Sequence, residues 1–142
     1  MLTDEQRRFL EAQRVARLAT AGRNAQPHVI PICYLLDGET IYFSIDGKPK
    51  RDTGKPLKRI RNMLENPSVA LVVDRYDEDW ERLGWVMVSG HAEVIESGAE
   101  HTTAQARLRE RYPQLQAMPI EALPVIAIRV ARAVGWGNLT VA

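Results

Sequence analysis

Polar and apolar positions alternate with a period of two along residues 15–21 (VARLATA). Val15, Arg17, Ala19 and Ala21 fall on one face, and Ala16, Leu18 and Thr20 on the other, which predicts a strand. Upstream, Thr3 with Gln6 three residues later is a capping-box signature, and Phe9 and Leu10 supply the apolar face of a short helix ending near Arg14. Gly22-Arg23-Asn24 is a turn signal. Residues 26–36 (QPHVIPICYLL) are β-rich, but Pro27 and Pro31 cannot donate to a ladder, so they require an edge, a bulge or a bend. Asp37-Gly38 before TIYFSI is a hairpin signal, so the first three strands are expected to form an antiparallel meander.

Beyond a loop, Leu57, Ile60, Met63 and Leu64 stand at helical spacing. That helix should stop at Asn66-Pro67, because the residue before proline disfavours the α region. Residues 68–73 (SVALVV) and 85–95 (WVMVSGHAEVI) read as strands, with Ser89-Gly90 as a bulge in the second. Ser97 is placed to cap a third helix running to about Arg111. Residues 113–123 read as a loop with a helical turn, and residues 125–134 as the last strand. Six strands joined mostly by hairpins, with three helices, predict a mostly β fold, a small antiparallel barrel, in one domain spanning residues 1–142.

Composition narrows the class. A hydrophobic fraction of 45% and a charged fraction of 26% are ordinary for a globular protein. The single cysteine, Cys33, excludes an intramolecular disulfide and a cysteine-rich metal site, and its apolar neighbours predict a buried, inert thiol. The charged start MLTDEQRRFLEAQ is unlike a signal peptide, and no apolar stretch reaches the ~20 residues needed to cross a bilayer. The expectation is a cytoplasmic protein with no membrane partner.

Charge is unevenly spread. Lys48, Lys50, Arg51, Lys55, Lys58, Arg59 and Arg61 are opposed between residues 48 and 61 only by Asp52, a local balance of +6 in a chain of net charge +1. A strand feeding a glycine-containing basic loop and then a helix start suits an anion. Backbone N–H groups and the helix dipole face the ligand, and lysines supply mobile point charges. The bland reading is a solvated loop. Nucleic acid is disfavoured as the partner by the near-neutral net charge and by the lack of an RNA-binding aromatic signature.

The ordered set RVARLATAGRNAQPHVIPICYLLDGETIYFSID, then KPKR, then LENPSVALVVD, then WVMVSGHAEVI, resembles the flavin-binding split-barrel, or pyridoxamine 5′-phosphate oxidase-like, superfamily. Its KPKR loop and the segment DRYDEDW are most similar to the small single-domain probable F-420-dependent enzymes. The resemblance implies a six-stranded antiparallel split β-barrel and a homodimer with two cofactor sites at the subunit interface. By position, it places Ser44, Lys48 and Lys50 at the cofactor phosphate, with Lys55 and Lys58 nearby. Val29, Ile30, Pro31 and Ile32 fall where the backbone approaches the flavin ring, and Phe43, Ser44, Ile45 and Asp46 at its polar edge.

Other candidates are weaker. Trp80, inside an acidic run, is the preferred wall of a small-molecule substrate pocket, with Trp85 beside it; Trp85 and Trp136 read equally as core or dimer interface. His28 and His91 lie on strands without a partner at metal or triad spacing, and His101 is expected to be exposed. Asp74, Asp77, Glu78 and Asp79 lack the ligand order of a calcium loop. No catalytic set is legible, which suits chemistry carried by a cofactor. Seven cations exceed what a monophosphate needs, so F-420, with its longer anionic tail, is slightly preferred to FMN. The oxidase itself is disfavoured because its C-terminal arginine segment has no counterpart after Trp136. The expected activity is hydride transfer to or from a conjugated or quinone-like small molecule. The alternative is a non-catalytic FMN or F-420 carrier.

Overall fold

A computed structural model describes residues 1–45 and 58–141. The chain opens with α1 (Asp4–Ala12), whose N-terminus carries the expected capping box. The Gln6 N–H donates to Thr3 Oγ1 and the Thr3 N–H donates to Gln6 Oε1, both at 3.0 Å. The strands are β1 (Ala16–Ala21), β2 (Pro27–Ile32), β3 (Leu35–Asp37), β4 (Thr40–Ser44), β5 (Ser68–Arg75), β6 (Gly84–Ile95) and β7 (Val125–Gly137). Two further helices are α2 (Lys58–Glu65) and α3 (Ala99–Arg111). No helix among the described residues is long and apolar enough to cross a membrane.

The fold is mostly β and antiparallel, as expected, but the described residues form seven strands rather than six. The apolar run of residues 26–36 breaks at Cys33-Tyr34 into β2 and β3. These two do not pair. Sheet order is β2-β1-β5-β6-β7-β4-β3, so β2 and β3 are opposite edges, and the expected meander of the first strands does not form. In a flat sheet of seven strands those edges would stand about 29 Å apart. Ile32 and Leu35 are three residues apart and can span only about 10 Å. The sheet therefore curls round on itself and stays split along the β2/β3 seam. Pro27 and Pro31 sit on the β2 edge, opposite Ala21 and Arg17 of β1, where their missing donors leave no central ladder broken.

The concave face holds the main core. Leu18, Ile41, Leu71, Val73, Val86, Val88, Ile126 and Ile128 point inward with Phe9 and Leu10 of α1 and Met63 of α2. Burial of each large side chain contributes roughly 1.5–3 kcal/mol. A second cluster sits outside the sheet, where Ala104 and Leu108 of α3 and Tyr112 just after it cover Leu35, Tyr42, Val125 and Ala127. Glycine is required at Gly38 and Gly90, among other positions. Gly38 adopts φ +61° in the β3–β4 turn. At the expected Ser89/Gly90 bulge, a Cβ on Gly90 would lie 2.2 Å from the Arg129 carbonyl oxygen.

Several local expectations are corrected. Leu64 is 64% exposed, whereas Met63 and Ile60 of the same predicted face reach the core, and Leu57 lies outside the described residues. Gly98, not Ser97, precedes α3. Cys33 is exposed, since the strand break turns it out of the sheet. His101 is buried, its Nε2 placed 2.7 Å from the Leu123 carbonyl oxygen.

Candidate functional site

The seam between the sheet edges opens into a cavity of about 260 Å³. One wall is the end of β2 and the break after it, with Pro31, Ile32 and Cys33. A second is the end of β4, with Phe43 and Ser44. Arg59 of α2 and Leu108, Tyr112, Gln114, Leu115 and Met118 complete the lining. The lining is chiefly apolar, with few polar groups, the usual make-up of a small-molecule site.

The seam is fastened by hydrogen bonds between α1, Tyr34 and the end of α3. Tyr34, fully buried, donates its hydroxyl to the Leu10 carbonyl, and its own N–H donates to the Tyr112 hydroxyl at 3.0 Å. Arg111 donates Nε to the Tyr34 carbonyl at 2.8 Å and Nη1 to the Glu11 carbonyl at 2.9 Å, satisfying the last turn of α1. Burial pushes the Tyr34 phenol well above its ordinary range, against the opposing pull of Arg111. It stays neutral and a donor.

Residues 112–124 form a strap of two 3-10 turns, Pro113–Ala117 and Ile120–Ala122. Three polar side chains of α3, spaced four residues apart on one stripe, grip its carbonyls. His101 reaches Leu123, Gln105 donates to Ile120 at 2.9 Å, and Arg109 donates to Met118 at 2.7 Å. Arg109 also pairs with Glu121. Next to this region, Glu100 accepts from Arg129 Nη1 and from the Tyr42 hydroxyl, each at 2.6 Å. These bonds, that of Arg129 first, hold its carboxyl down at about 2.

Of the residues singled out from the sequence, the cavity gathers Pro31, Ile32, Phe43 and Ser44. Ile45 is buried in the core, with its N–H on the Pro124 carbonyl at 3.3 Å. Val29 is 60% exposed on the outer face of β2, and Ile30 packs against the core from the inner face, as strand alternation requires. Asp46, Lys48, Lys50 and Lys55 lie outside the described residues. Lys58 is exposed at the start of α2, whereas its neighbour Arg59, which the sequence did not separate from the other cations of the run, lines the cavity. Trp80 is 71% exposed on a 3-10 turn, and Trp85 stacks on Trp136 with ring centroids 6.3 Å apart; neither lines this cavity. The contribution of residues 112–118 had no sequence signal, since a loop without periodicity does not show which way its side chains turn. Among the described residues, no group of three or more His, Cys, Asp or Glu is placed to hold a metal ion.

Comparisons with known proteins agree with this architecture. The chain is 33% identical to the 5a,11a-dehydrotetracycline/5a,11a-dehydrooxytetracycline reductase of Streptomyces rimosus over 136 residues, covering 95% of this chain and 82% of that one. A FAD-binding protein from Mesorhizobium loti superposes with a TM-score of 0.71 at 25% identity, covering 94% of each chain. A conserved hypothetical protein from Mycobacterium tuberculosis superposes with a TM-score of 0.76 at 20% identity, covering 96% of this chain and 86% of the other. The family model for pyridoxamine 5′-phosphate oxidase matches residues 2–137. A curled seven-stranded sheet split along one seam, matched to that family over nearly its whole length, places the chain in the pyridoxamine 5′-phosphate oxidase family of flavin-binding split barrels.

Proposed function

We propose that this protein is a flavin- or deazaflavin-dependent oxidoreductase acting on a planar, conjugated small molecule. The observation that carries the reading is the cavity at the seam. An apolar slot made by Pro31, Ile32, Phe43, Leu115 and Met118 is bordered by the Ser44 hydroxyl and the Arg59 guanidinium. That donor set fits a flat ring with an anionic tail, because the ring needs apolar faces and the tail needs cations. The reductase of Streptomyces rimosus, similar over 95% of this chain, supports reduction of a conjugated substrate.

When bound, the flavin or deazaflavin supplies the ring that carries the hydride. The protein positions and shields. Pro31 and Ile32 present the end of an edge strand to the ring, and Phe43 and Leu108 close off water. Ser44 and Arg59 bind the phosphate side, and Lys48 and Lys50 extend that basic stretch by sequence. Charge-assisted hydrogen bonds of this kind contribute about 1.5–3 kcal/mol each. F-420 is preferred to FMN, because seven cations between residues 48 and 61 suit a longer anionic tail.

The functional unit we propose is a homodimer with its cofactor sites at the subunit interface. Its support is the convex face of the sheet. Strand register aligns Val72, Met87 and Val134 across three strands, with Trp85 opposite Trp136 and Ala19 opposite Val29. Met87 and Trp136 are 39% and 52% exposed there.

The test is titration of purified protein with FMN and with F-420, followed by turnover of the reduced cofactor with quinones and enones. Arg59→Ala is expected to weaken cofactor binding by about tenfold. Failure of both cofactors to bind would overturn the reading, and binding without turnover across the panel would assign a carrier role instead.

A further inference from the structure

We infer that the strap of residues 112–124 is the wall that sets which ring systems the cavity admits, and that Arg109 of α3 positions it. This rests on the reading of the cavity as a flavin-type site, and it assigns the part of that site which recognises the ring rather than the phosphate.

The two sides of the cavity differ in how they are fixed. Pro31, Ile32, Phe43 and Ser44 belong to paired strands, so their positions follow from the sheet. Leu115 and Met118 belong to a segment with no strand or α-helical ladder. It keeps its place through hydrogen bonds to side chains of α3.

The stripe of His101, Gln105 and Arg109 is unusual for the inner face of a helix. His101 and Gln105 are 6% and 4% exposed, positions normally filled by apolar residues. A buried polar group costs free energy unless it is bonded, and here the His101 ring, Gln105 Nε2 and Arg109 Nη2 each reach a strap carbonyl. Apolar residues would pack the strap without fixing where its carbonyls sit. The polar stripe specifies one placement.

Arg109 acts closest to the cavity. It donates to the carbonyl of Met118, the residue whose side chain lines the slot, and pairs with Glu121 three residues on. The Gln116 side chain donates back to the Arg109 carbonyl at 3.2 Å, tying the same turn from the other direction. Met118 is unbranched and adaptable, so its backbone position, rather than its own shape, decides how wide the slot is. Leu115 packs on the outer core cluster beside Leu108 and forms the stiffer half of the wall. Slot width on this account selects flat, fused-ring bodies.

The experiment is fluorescence titration of the full-length protein with three probes. Lumiflavin carries the three-ring body without phosphate, FMN carries both, and lumazine carries two rings. Met118→Trp and Leu115→Trp, at half-buried positions that tolerate bulk, should each weaken lumiflavin and FMN by about tenfold or more. Arg109→Gln should lower the lumiflavin-to-lumazine affinity ratio by at least about threefold, and Arg109→Lys should recover part of it. A purely structural role for Arg109 would lower the melting temperature without moving that ratio.

Unchanged lumiflavin affinity in both tryptophan variants, at unaltered melting temperature, would overturn the inference. So would absence of lumiflavin binding by the unaltered protein. Arg59→Ala separates this inference from the phosphate reading, since it should weaken FMN and spare lumiflavin. If it spares both while Met118→Trp weakens both, the phosphate assignment fails and the wall stands.

Discussion

Glu100 shows how one side chain ties several elements together. Its carboxylate accepts from Arg129 of β7 and Tyr42 of β4, so the start of α3 is anchored to two strands. The free carboxyl titrates at 4.5 and the folded one at about 2. A depressed value means that the ionised form favours the fold. The contribution is full above about pH 4.5 and disappears as pH falls through about 2. Glu100→Gln should therefore lower the melting temperature at neutral pH by about 2–4 °C, a modest effect because the side chains are partly exposed and screened. The gap to the unaltered protein should narrow as pH falls from about 4.5 through about 2, and thermal melts below that value compare two largely uncharged side chains. A gap that persists there would place the effect elsewhere.

Among the elements, the long β6–β7 pair is the spine of the sheet, and its bulge is sterically determined. The expected bulge at Ser89-Gly90 is present because the Arg129 carbonyl approaches Gly90 to a distance no Cβ allows. Gly90→Ala should cost about 1–3 kcal/mol, read from the denaturant midpoint, and an unchanged midpoint would contradict the close approach. Period-two alternation in residues 15–21 predicted a strand with Ala16, Leu18 and Thr20 on one face, and the structure buries that face, because such a pattern depends only on the strand itself. The break at Cys33-Tyr34 was not legible. It depends on Tyr34 reaching the carbonyl of Leu10 and the hydroxyl of Tyr112, partners remote in sequence. His101 was misjudged for a similar reason, since a polar residue is buried only when something distant bonds it, here the Leu123 carbonyl. At the cavity, the β2 and β4 residues were legible through family resemblance. Arg59 was hidden within a run of seven cations whose sequence does not show which one turns inward.

At the scale of the whole molecule, the convex face is the feature that bears on assembly. Met87 lies between Val72 and Val134 on three neighbouring strands. In the proposed homodimer this row is covered by a second copy. Met87→Lys should then shift sedimentation from dimer to monomer at micromolar concentration and weaken cofactor binding in parallel, because each site would lose its second wall. A monomeric unaltered protein, or a dimer indifferent to the charge, would refute that arrangement. Ionic strength offers no substitute for this variant, since an apolar interface is insensitive to salt screening.

The lock on the seam also has a kinetic meaning. Arg111 and Tyr112 reach back to the carbonyls of Gln13 and Arg14, a separation of 98 residues in each case. Closing a loop of that length costs on the order of 4 kcal/mol in chain entropy before any contact repays it. Hairpins such as β3–β4 and β5–β6 close far shorter loops and form without that delay. During synthesis, the first four strands leave the ribosome well before the two residues that latch them exist. The barrel mouth, and with it the cavity, therefore waits for the end of α3 to fasten the start of the chain and for β7, which follows α3, to join β4 to β6.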